Sequence, residues 1–240
     1  AHGEFTGIKL IRAYHKHHGL KEKNEIIIPD SAHGTNPASA SIAGFKVVKV
    51  ASNSQGIIHP DDVKKLISPK TAGIMMTVPN TLGIFESHIK EISNLLHEVN
   101  AFVYMDGANF NALVGLIRPG DIGIDVMHFN LHKTFSTPHG GGGPGSGPIA
   151  CCSKLMDFLP NPKVEKKPEG FVLSSYPTSI GRVRAGFGNF GIFLRAYCYI
   201  LSYGREYLPE LSRTSIQNAA YIRKKLEPYY NLPFKTQTMH

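Results

Sequence analysis

The sequence has few cysteines, and none is spaced as a metal-binding or redox pair would be. Its 240 residues include three cysteines, and no CxxC pair is present. Cys151 and Cys152 are neighbours on a predicted strand, so their side chains point to opposite faces. We therefore predict buried thiols in a reducing compartment, with neither a disulfide nor a metal site.

Three further absences exclude other classes of function. No apolar run has the length of about 20 residues that a membrane-spanning helix needs, so no membrane partner is expected. The formal net charge is +8, but the basic residues are scattered and not interleaved with aromatic residues, so no nucleic-acid partner is expected. The glycine run 140–147 is interrupted by Pro144 and followed by a predicted strand, which argues against a dinucleotide or ATP loop.

Short apolar segments alternate with helical patterns along most of the chain. Strands are predicted at 25–28, 46–50, 73–78, 102–105, 126–129 and 149–152. Helices are predicted at 4–18, 38–43, 60–66, 89–98, 193–203 and 212–227. This alternation predicts an α/β fold with a mostly parallel sheet and helices on both faces. Residues 161–169, which are rich in proline and charge, are predicted to form an exposed loop.

One lysine, Lys133, stands where a flat, phosphorylated ligand could be bound. It follows the predicted strand 126–129 and precedes the glycine run 140–147. A backbone without Cβ atoms can approach a ligand closely, and a partly desolvated lysine can lose its proton and attack a carbonyl. Taken alone, Lys133 would be interpreted as a surface charge, as most lysines are.

Three other features support a chemical role for this lysine. Asp106 ends an apolar strand, at the sheet edge where α/β proteins bind ligands, and a carboxylate there can pair with a protonated pyridine nitrogen. His33 also follows a strand, and its imidazole can stack on a pyridine ring. Residues 1–7 open a helix with small side chains, which leaves amide donors free for a phosphate. Together these features predict a site for pyridoxal phosphate.

Six stretches of the sequence carry a family resemblance. They are AHGE, PDSAHGTNPASA, PNTLGIFE, DGANFNA, RPGDIGIDVMHFNLHKTFSTPHGGGGPGSGP and SIGRVR, and they cover most of residues 1–200. In these stretches the chain resembles the glycine decarboxylase P-protein of the glycine cleavage system. The resemblance implies the fold of a fold-type I pyridoxal-phosphate-dependent transferase. It also implies a large cofactor-binding domain over residues 1–205, with residues 206–240 leading to a truncated small C-terminal domain.

The resemblance implies a role for each candidate residue. Lys133 would carry pyridoxal 5'-phosphate as a covalent aldimine, Asp106 would pair with the pyridine nitrogen, and His33 would stack on the ring. These three are the predicted catalytic residues. The predicted cofactor-binding residues are Lys133, Asp106, His33, Ala108, Asn80, Thr81, His132, Asn130 and Thr134. Arg182 and Arg184 are further candidates, which could hold a carboxylate or a phosphate.

The activity that the resemblance implies is pyridoxal-phosphate-dependent glycine decarboxylation. Carbon dioxide would be released, and the aminomethyl group would pass to the lipoyl arm of the carrier H-protein. The implied partners are glycine, the lipoylated H-protein, and the N-terminal half or subunit 1 of the P-protein, in a dimer or heterotetramer. Because the family has more chain on both sides, we expect a fragment of the C-terminal half or of subunit 2. Its location would be the cytoplasm of a bacterium or the mitochondrial matrix of a eukaryote.

Two other functions stay open at this point. Another fold-type I amino-acid decarboxylase or aminotransferase would share Asp106 and Lys133, but it would not explain the long matches around GTNPASA and HGGGGPGSGP. A non-catalytic partner subunit is the second alternative. The presence of both Lys133 and Asp106 argues against it, because a degenerate copy needs neither residue.

Overall fold

The computed structural model describes residues 1–240 and contains one six-stranded sheet. Its strands are β1 (Glu25–Pro29), β2 (Lys46–Val50), β3 (Thr71–Thr77), β4 (Phe102–Gly107), β5 (Val126–Phe129) and β6 (Ile149–Cys151). Their order is β2-β1-β3-β4-β5-β6. The first five run parallel and β6 pairs antiparallel with β5. The carboxyl ends of five strands therefore meet at one edge of the sheet.

Helices cover both faces of this sheet. They are α1 (His2–His17), α2 (Thr35–Ile42), α3 (Pro60–Leu66), α4 (Ile89–Glu98), α5 (Leu131–Thr134) and α6 (Phe190–Leu226). Buried residues of α1 and α2 pack with one set of strand residues, and buried residues of α3 and α4 pack with the alternate set. The two cores arise because successive strand side chains point to opposite faces. The predicted α/β architecture is confirmed.

The predicted loop 161–169 is wrong in part. It contributes to a two-stranded antiparallel hairpin formed by β7 (Lys163–Lys167) and β8 (Gly170–Ser174). Gly170 has a φ of +128°, which allows the tight turn between the strands. The hairpin has no fully buried residue, so its sequence lacks the apolar alternation by which strands are recognised.

The two helices predicted at 193–203 and 212–227 both lie within α6, which consists of two helices separated by a kink at Gly204. The φ of Gly204 is +65°, in the left-handed region that glycine adopts readily. Beyond this point Ser212 is fully buried and donates to the carbonyl oxygens of Asn111 and Val114. The chain then returns to the sheet edge, where Met239 N–H donates to Gly83 O. The domain boundary at residue 205 stays a prediction.

None of the helices combines the length and the apolar character needed to cross a bilayer.

Candidate active site

A row of polar side chains lies at the carboxyl edge of the sheet. Thr77, Asp106 and His128 are in register on the neighbouring strands β3, β4 and β5. Each is only 3% exposed, although the strands that carry them are otherwise apolar. Because these residues are paired across parallel strands, their side chains point to the same face, which is the face covered by α1 and α2.

Asp106 accepts two hydrogen bonds and has a third polar contact. Its Oδ1 accepts from the Ala108 N–H at 2.9 Å and lies 3.2 Å from His128 Nε2. Its Oδ2 accepts from Asn36 Nδ2 at 2.9 Å. Since a carboxylate oxygen only accepts here, the Asn36 amide must present its nitrogen to Asp106. The other oxygen of that amide, Asn36 Oδ1, is buried and has no partner.

His33 is connected to this row through Thr35 and Glu4. His33 is exposed, and its Nδ1 lies 2.9 Å from Thr35 Oγ1. Thr35 Oγ1 in turn donates to Glu4 Oε2 at 3.0 Å. A carboxylate oxygen of Glu4 lies within 4.8 Å of ligand atoms of both Asp106 and His128. The loop after β1 and the first turn of α1 are thereby joined to the ends of β4 and β5.

Lys133 lies in the short helix α5, directly after β5. Its side chain is exposed, in contrast to the buried Asp106 and His128. Its positive charge is close enough to contribute, after burial, to lowering the pKa values of His128 and His240. Lys133 is therefore an accessible amine beside the buried polar row.

Several polar atoms around this edge are buried and have no hydrogen-bond partner. They are Glu4 Oε1, Asn36 Oδ1, Thr77 Oγ1, Asn130 Oδ1, His132 Nδ1, Thr134 Oγ1 and Thr137 Oγ1. Buried polar groups without partners are uncommon in folded proteins, and each one requires an explanation. Their concentration beside Lys133 and Asp106 is the pattern expected where a polar ligand completes the bonding.

A cavity of about 600 Å³ opens beside these residues. Its wall includes the first turn of α1, part of the glycine run, His128, Asn130, His132 and both Arg182 and Arg184. Neither Lys133 nor Asp106 lines it, so it adjoins the polar row through His128 and Glu4. Helix α1 has no side-chain cap at Ala1, and its first amide groups are free to bind an anion.

Asn80 lies after β3 at the predicted sheet edge, but its side-chain amide is bonded within the protein. Its Nδ2 donates to Gly56 O and Glu86 Oε1, and its Oδ1 accepts from the N–H groups of Leu82 and Ile84. All four of its hydrogen-bonding positions are used within the protein. Asn80 therefore builds the turn after β3 and has no free group for the predicted contact with a cofactor.

Three further residues lie at or near this turn. Thr81 is exposed at the same turn. Asn109 ties the end of β4 to this turn by donating to Pro79 O and Asn80 O. Glu86 is buried beneath it, and burial raises the pKa of Glu86 to about 7 despite the hydrogen bonds it accepts from Asn80 and Ile58. This turn is therefore fixed mainly by bonds inside the protein.

Glu4, Asp106 and His128 have the side-chain types and proximity of a metal site. The polar atoms of Asp106 and His128 already have contacts within the protein. His128 Nε2 faces Asp106 Oδ1, and Asp106 accepts from two other donors. An imidazole nitrogen that carries a hydrogen has no lone pair for a metal. Each of the three side chains thus has hydrogen-bond partners in a wider polar network that includes Thr35, Asn36 and Tyr104, and the absence of a metal stays a prediction.

Sequence reasoning missed four members of this network: Glu4, Asn36, Tyr104 and His128. A signal for two of them was present. His128 is a polar residue in the apolar strand Val126–Phe129, and Glu4 is an acidic residue in the first turn of a helix with a buried face. Asn36 and Tyr104 gave no such signal, because only the packing of α2 and α1 on the sheet brings them to Asp106 and His128.

Comparison with known proteins shows that the chain belongs to a broad family and is similar in sequence to one group of relatives. Residues 2–142 match the model of the family described as Aminotransferase class-V. The chain is 52% identical over its whole length to the probable glycine dehydrogenase (decarboxylating) subunit 2 of Alkaliphilus oremlandii (strain OhILAs). It is 52% identical over its whole length to the protein of that name in Treponema denticola. It covers 49% and 50% of these two relatives, so it spans about half the length of the curated relatives it matches.

Solved structures agree with the predicted fold. A glycine decarboxylase (P-protein) of the glycine cleavage system, in inhibitor-bound form, matches with a TM-score of 0.74 and 18% identity, over 93% of this chain and 52% of the other. TDC from Oryza sativa, solved with PLP and tryptamine, matches with a TM-score of 0.67 and 14% identity, over 95% of this chain and 48% of the other. At these identities the likeness concerns the fold alone, and it confirms the predicted fold-type I architecture.

Proposed function

We propose, because this chain belongs to the aminotransferase class-V family, that it is the pyridoxal-phosphate-binding part of a glycine dehydrogenase (decarboxylating). The observation that carries the proposal is the buried Asp106 carboxylate, which accepts from Asn36 and Ala108 and contacts His128. It lies on the strand beside the one that leads to the accessible Lys133. The relatives named as subunit 2 of that enzyme, at 52% identity, support the choice of glycine as substrate.

The residues at the carboxyl edge fit pyridoxal phosphate. A phosphorylated pyridine needs an acceptor for its ring nitrogen, polar groups for its oxygens, an amine for its aldehyde and an anion site for its phosphate. Asp106 supplies the first, and the unpartnered atoms of Asn36, Asn130 and Thr134 are available for the second. Lys133 supplies the amine, and the uncapped N-terminus of α1 supplies the anion site.

Each residue then has a defined task. When bound, pyridoxal phosphate supplies an aldehyde that condenses with amines and a ring that withdraws electrons from the bond to be broken. Asp106 holds the proton on the ring nitrogen, because a carboxylate next to that nitrogen favours its charged form. Lys133 would supply the amine that binds the aldehyde of the cofactor. His33, which contacts Thr35, which in turn donates to Glu4, would exclude water from one side of the site.

The proposed reaction removes the carboxylate of glycine as carbon dioxide and passes the aminomethyl group to the lipoyl arm of a carrier H-protein. The partner subunit 1 is proposed because the relatives carry the name subunit 2. We propose a dimer or a heterotetramer for the assembled enzyme. Arg182 and Arg184 line the cavity beside His128, and we propose this cavity as the approach for negatively charged groups.

Two measurements on the full-length protein test this function. Borohydride reduction in the presence of pyridoxal phosphate should fix the cofactor to Lys133, as found by peptide mapping. A Lys133→Ala variant should lose the label, whereas Lys154→Ala, at another exposed lysine, should keep it. Recovery of the label on a different lysine would remove Lys133 from its proposed role.

The second measurement addresses the substrate and the carrier. With its partner subunit present, the protein should exchange labelled bicarbonate into the carboxyl group of glycine, and lipoylated H-protein should strongly increase the exchange. Equal exchange with lipoylated and unlipoylated H-protein would contradict the proposed carrier. Transamination of alanine or glutamate without glycine exchange would instead indicate an aminotransferase.

A further inference from the structure

Two buried side chains behind Asp106 have no part in the function described above. Tyr104 is fully buried and His128 is 3% exposed. Tyr104 Oη lies 2.6 Å from His128 Nδ1, and His128 Nε2 lies 3.2 Å from Asp106 Oδ1. The three side chains thus form a chain of polar contacts that ends on the proposed partner of the cofactor ring.

The distances assign the direction of these hydrogen bonds. Tyr104 Oη lies 3.2 Å from the carbonyl oxygen of Glu4 but only 2.6 Å from His128 Nδ1. We assign the hydroxyl proton to the shorter contact, so that Nδ1 accepts it as an unprotonated ring nitrogen and the carbonyl oxygen of Glu4 is a second, longer acceptor. Burial lowers the pKa of His128, although Asp106 opposes this effect, and a neutral imidazole agrees with the assignment. The remaining ring proton is then on Nε2, which faces Asp106 Oδ1 at 3.2 Å.

The same bonds decide which oxygen of Asp106 is available to a ligand. Oδ1 accepts from Ala108 N–H and also faces His128 Nε2 at 3.2 Å, so protein groups lie on both of its sides. Oδ2 accepts from Asn36 alone, so one position remains. Without the His128 donor the two oxygens would be nearly equivalent, and the carboxylate could rotate between them.

We propose that His128, oriented by Tyr104, is a positioning residue that holds the Asp106 carboxylate so that Oδ2 accepts from the ring nitrogen of pyridoxal phosphate. This inference rests on the proposed function. It assigns the two residues no contact with substrate or cofactor. Their effect reaches the ring only through Asp106, and that restriction makes the inference testable.

The test compares two cofactors that differ at the ring nitrogen. The dissociation constants of pyridoxal 5'-phosphate and of its 1-deaza analogue, in which CH replaces the nitrogen, are measured on the full-length protein freed of cofactor. His128→Leu should weaken binding of pyridoxal phosphate by about 10-fold, the equivalent of one hydrogen bond to a charged group. Binding of the deaza analogue should be unchanged, because its ring has no N–H for Asp106 to accept.

Two further variants sharpen the test. His128→Gln keeps an N–H donor at the position of Nε2 and should restore most of the affinity for pyridoxal phosphate. Tyr104→Phe removes one hydroxyl while it keeps the packing of the ring, and it should weaken pyridoxal phosphate binding selectively, by about 3-fold. The Tyr104 variant gives the answer even if His128→Leu fails to fold.

The outcomes separate this inference from the proposed function. Equal losses for both cofactors, or no loss for either, would show that His128 and Tyr104 have only a structural role. Failure of the unaltered protein to bind pyridoxal phosphate would contradict the proposed function itself. Selective loss of pyridoxal phosphate in both variants, with recovery in His128→Gln, would support the positioning role.

Discussion

Ionisable side chains are buried at both edges of the sheet, but their hydrogen-bond partners differ between the two edges. At the amino edge, Lys23 is 7% exposed and donates to the carbonyl oxygens of Thr71 and Val99 at 2.8 and 2.7 Å. His15 is fully buried there, and its Nε2 lies 3.0 Å from Ala72 O. Main-chain carbonyl oxygens are thus the hydrogen-bond partners of both side chains.

At the carboxyl edge the buried groups bond to one another's side chains. Asp106 accepts from Asn36 and faces His128, which in turn contacts Tyr104. Many acceptors at this edge stay without partners, whereas at the amino edge only His15 Nδ1 does. Bonds to the main chain hold elements together, and spare side-chain groups can bind a ligand. The comparison indicates that one edge stabilises the fold and that the other has groups available for the ligand we propose.

The largest effect that tests this difference between the two edges is expected at Asp106. Asp106→Asn should lower glycine turnover on the order of 100-fold or more, because an amide is a poor partner for a protonated ring nitrogen. Cofactor binding should persist, since the phosphate contacts remain. Steady-state kinetics and cofactor titration check both expectations. Asp30→Asn is the matched control, because Asp30 also follows a strand at this edge but is exposed and bonds only to Ser52; a similar loss there would remove the special role of Asp106.

The second prediction concerns acid stability at the amino edge. Burial is the main cause that lowers the pKa of His15 from 6.5 to about 4. The unfolded chain therefore binds a proton below pH 6.5 that the folded chain takes up only near pH 4. His15 therefore does not reduce the free energy of unfolding above pH 6.5. As the pH falls to 4, it reduces the free energy of unfolding by about 3 kcal/mol.

Denaturant unfolding between pH 7 and 4 measures this loss. His15→Gln keeps a donor for Ala72 O but has no titrating group, so the free energy of unfolding should fall less steeply with acid in this variant. His18→Gln, at the exposed end of α1, should behave like the unaltered protein. An unchanged acid dependence in His15→Gln would show that another group controls it.

The smallest effect is expected at Lys23. Lys23→Met keeps most of the side-chain length but leaves the carbonyl oxygens of Thr71 and Val99 without their donor, which should cost about 1–3 kcal/mol of stability. Turnover per folded molecule should not change, because Lys23 is at the edge opposite the site. Thermal unfolding and kinetics measure the two quantities. Lys21→Met, at an exposed neighbour, should alter neither, and a loss of turnover in Lys23→Met would contradict the division between the edges.

Much of the fold could be predicted because its central strands are buried on both faces. Strands such as Thr71–Thr77 and Phe102–Gly107 are buried throughout, and such runs are recognisable without knowledge of their partners. The hairpin at 163–174 was missed because it is exposed and lacks this apolar signal. The two helices within α6 were predicted separately, and the structure separates them at Gly204, whose φ of +65° lies outside the helical region.

The candidate site was predicted only where its residues follow strands. Lys133, Asp106 and His33 were found in this way, since parallel strands bring their carboxyl ends to one edge. The same rule selected Asn80, whose amide is instead used entirely by its own turn. Position at a strand end does not reveal whether a side chain's hydrogen bonds are already satisfied.

The sequence by itself determined the order of strands and helices, and hence the edge at which Lys133, Asp106 and His33 meet, because these follow from local periodicity and from the rules of parallel sheets. Only the tertiary structure decided which groups Asp106 contacts. Asn36 reaches it from α2, and His128 lies beside it on β5, where Tyr104 and the first turn of α1 enclose it. Hydrogen bonds extend over about 3 Å. Their pairing therefore depends on how helices pack on the sheet, which no local pattern in the chain specifies.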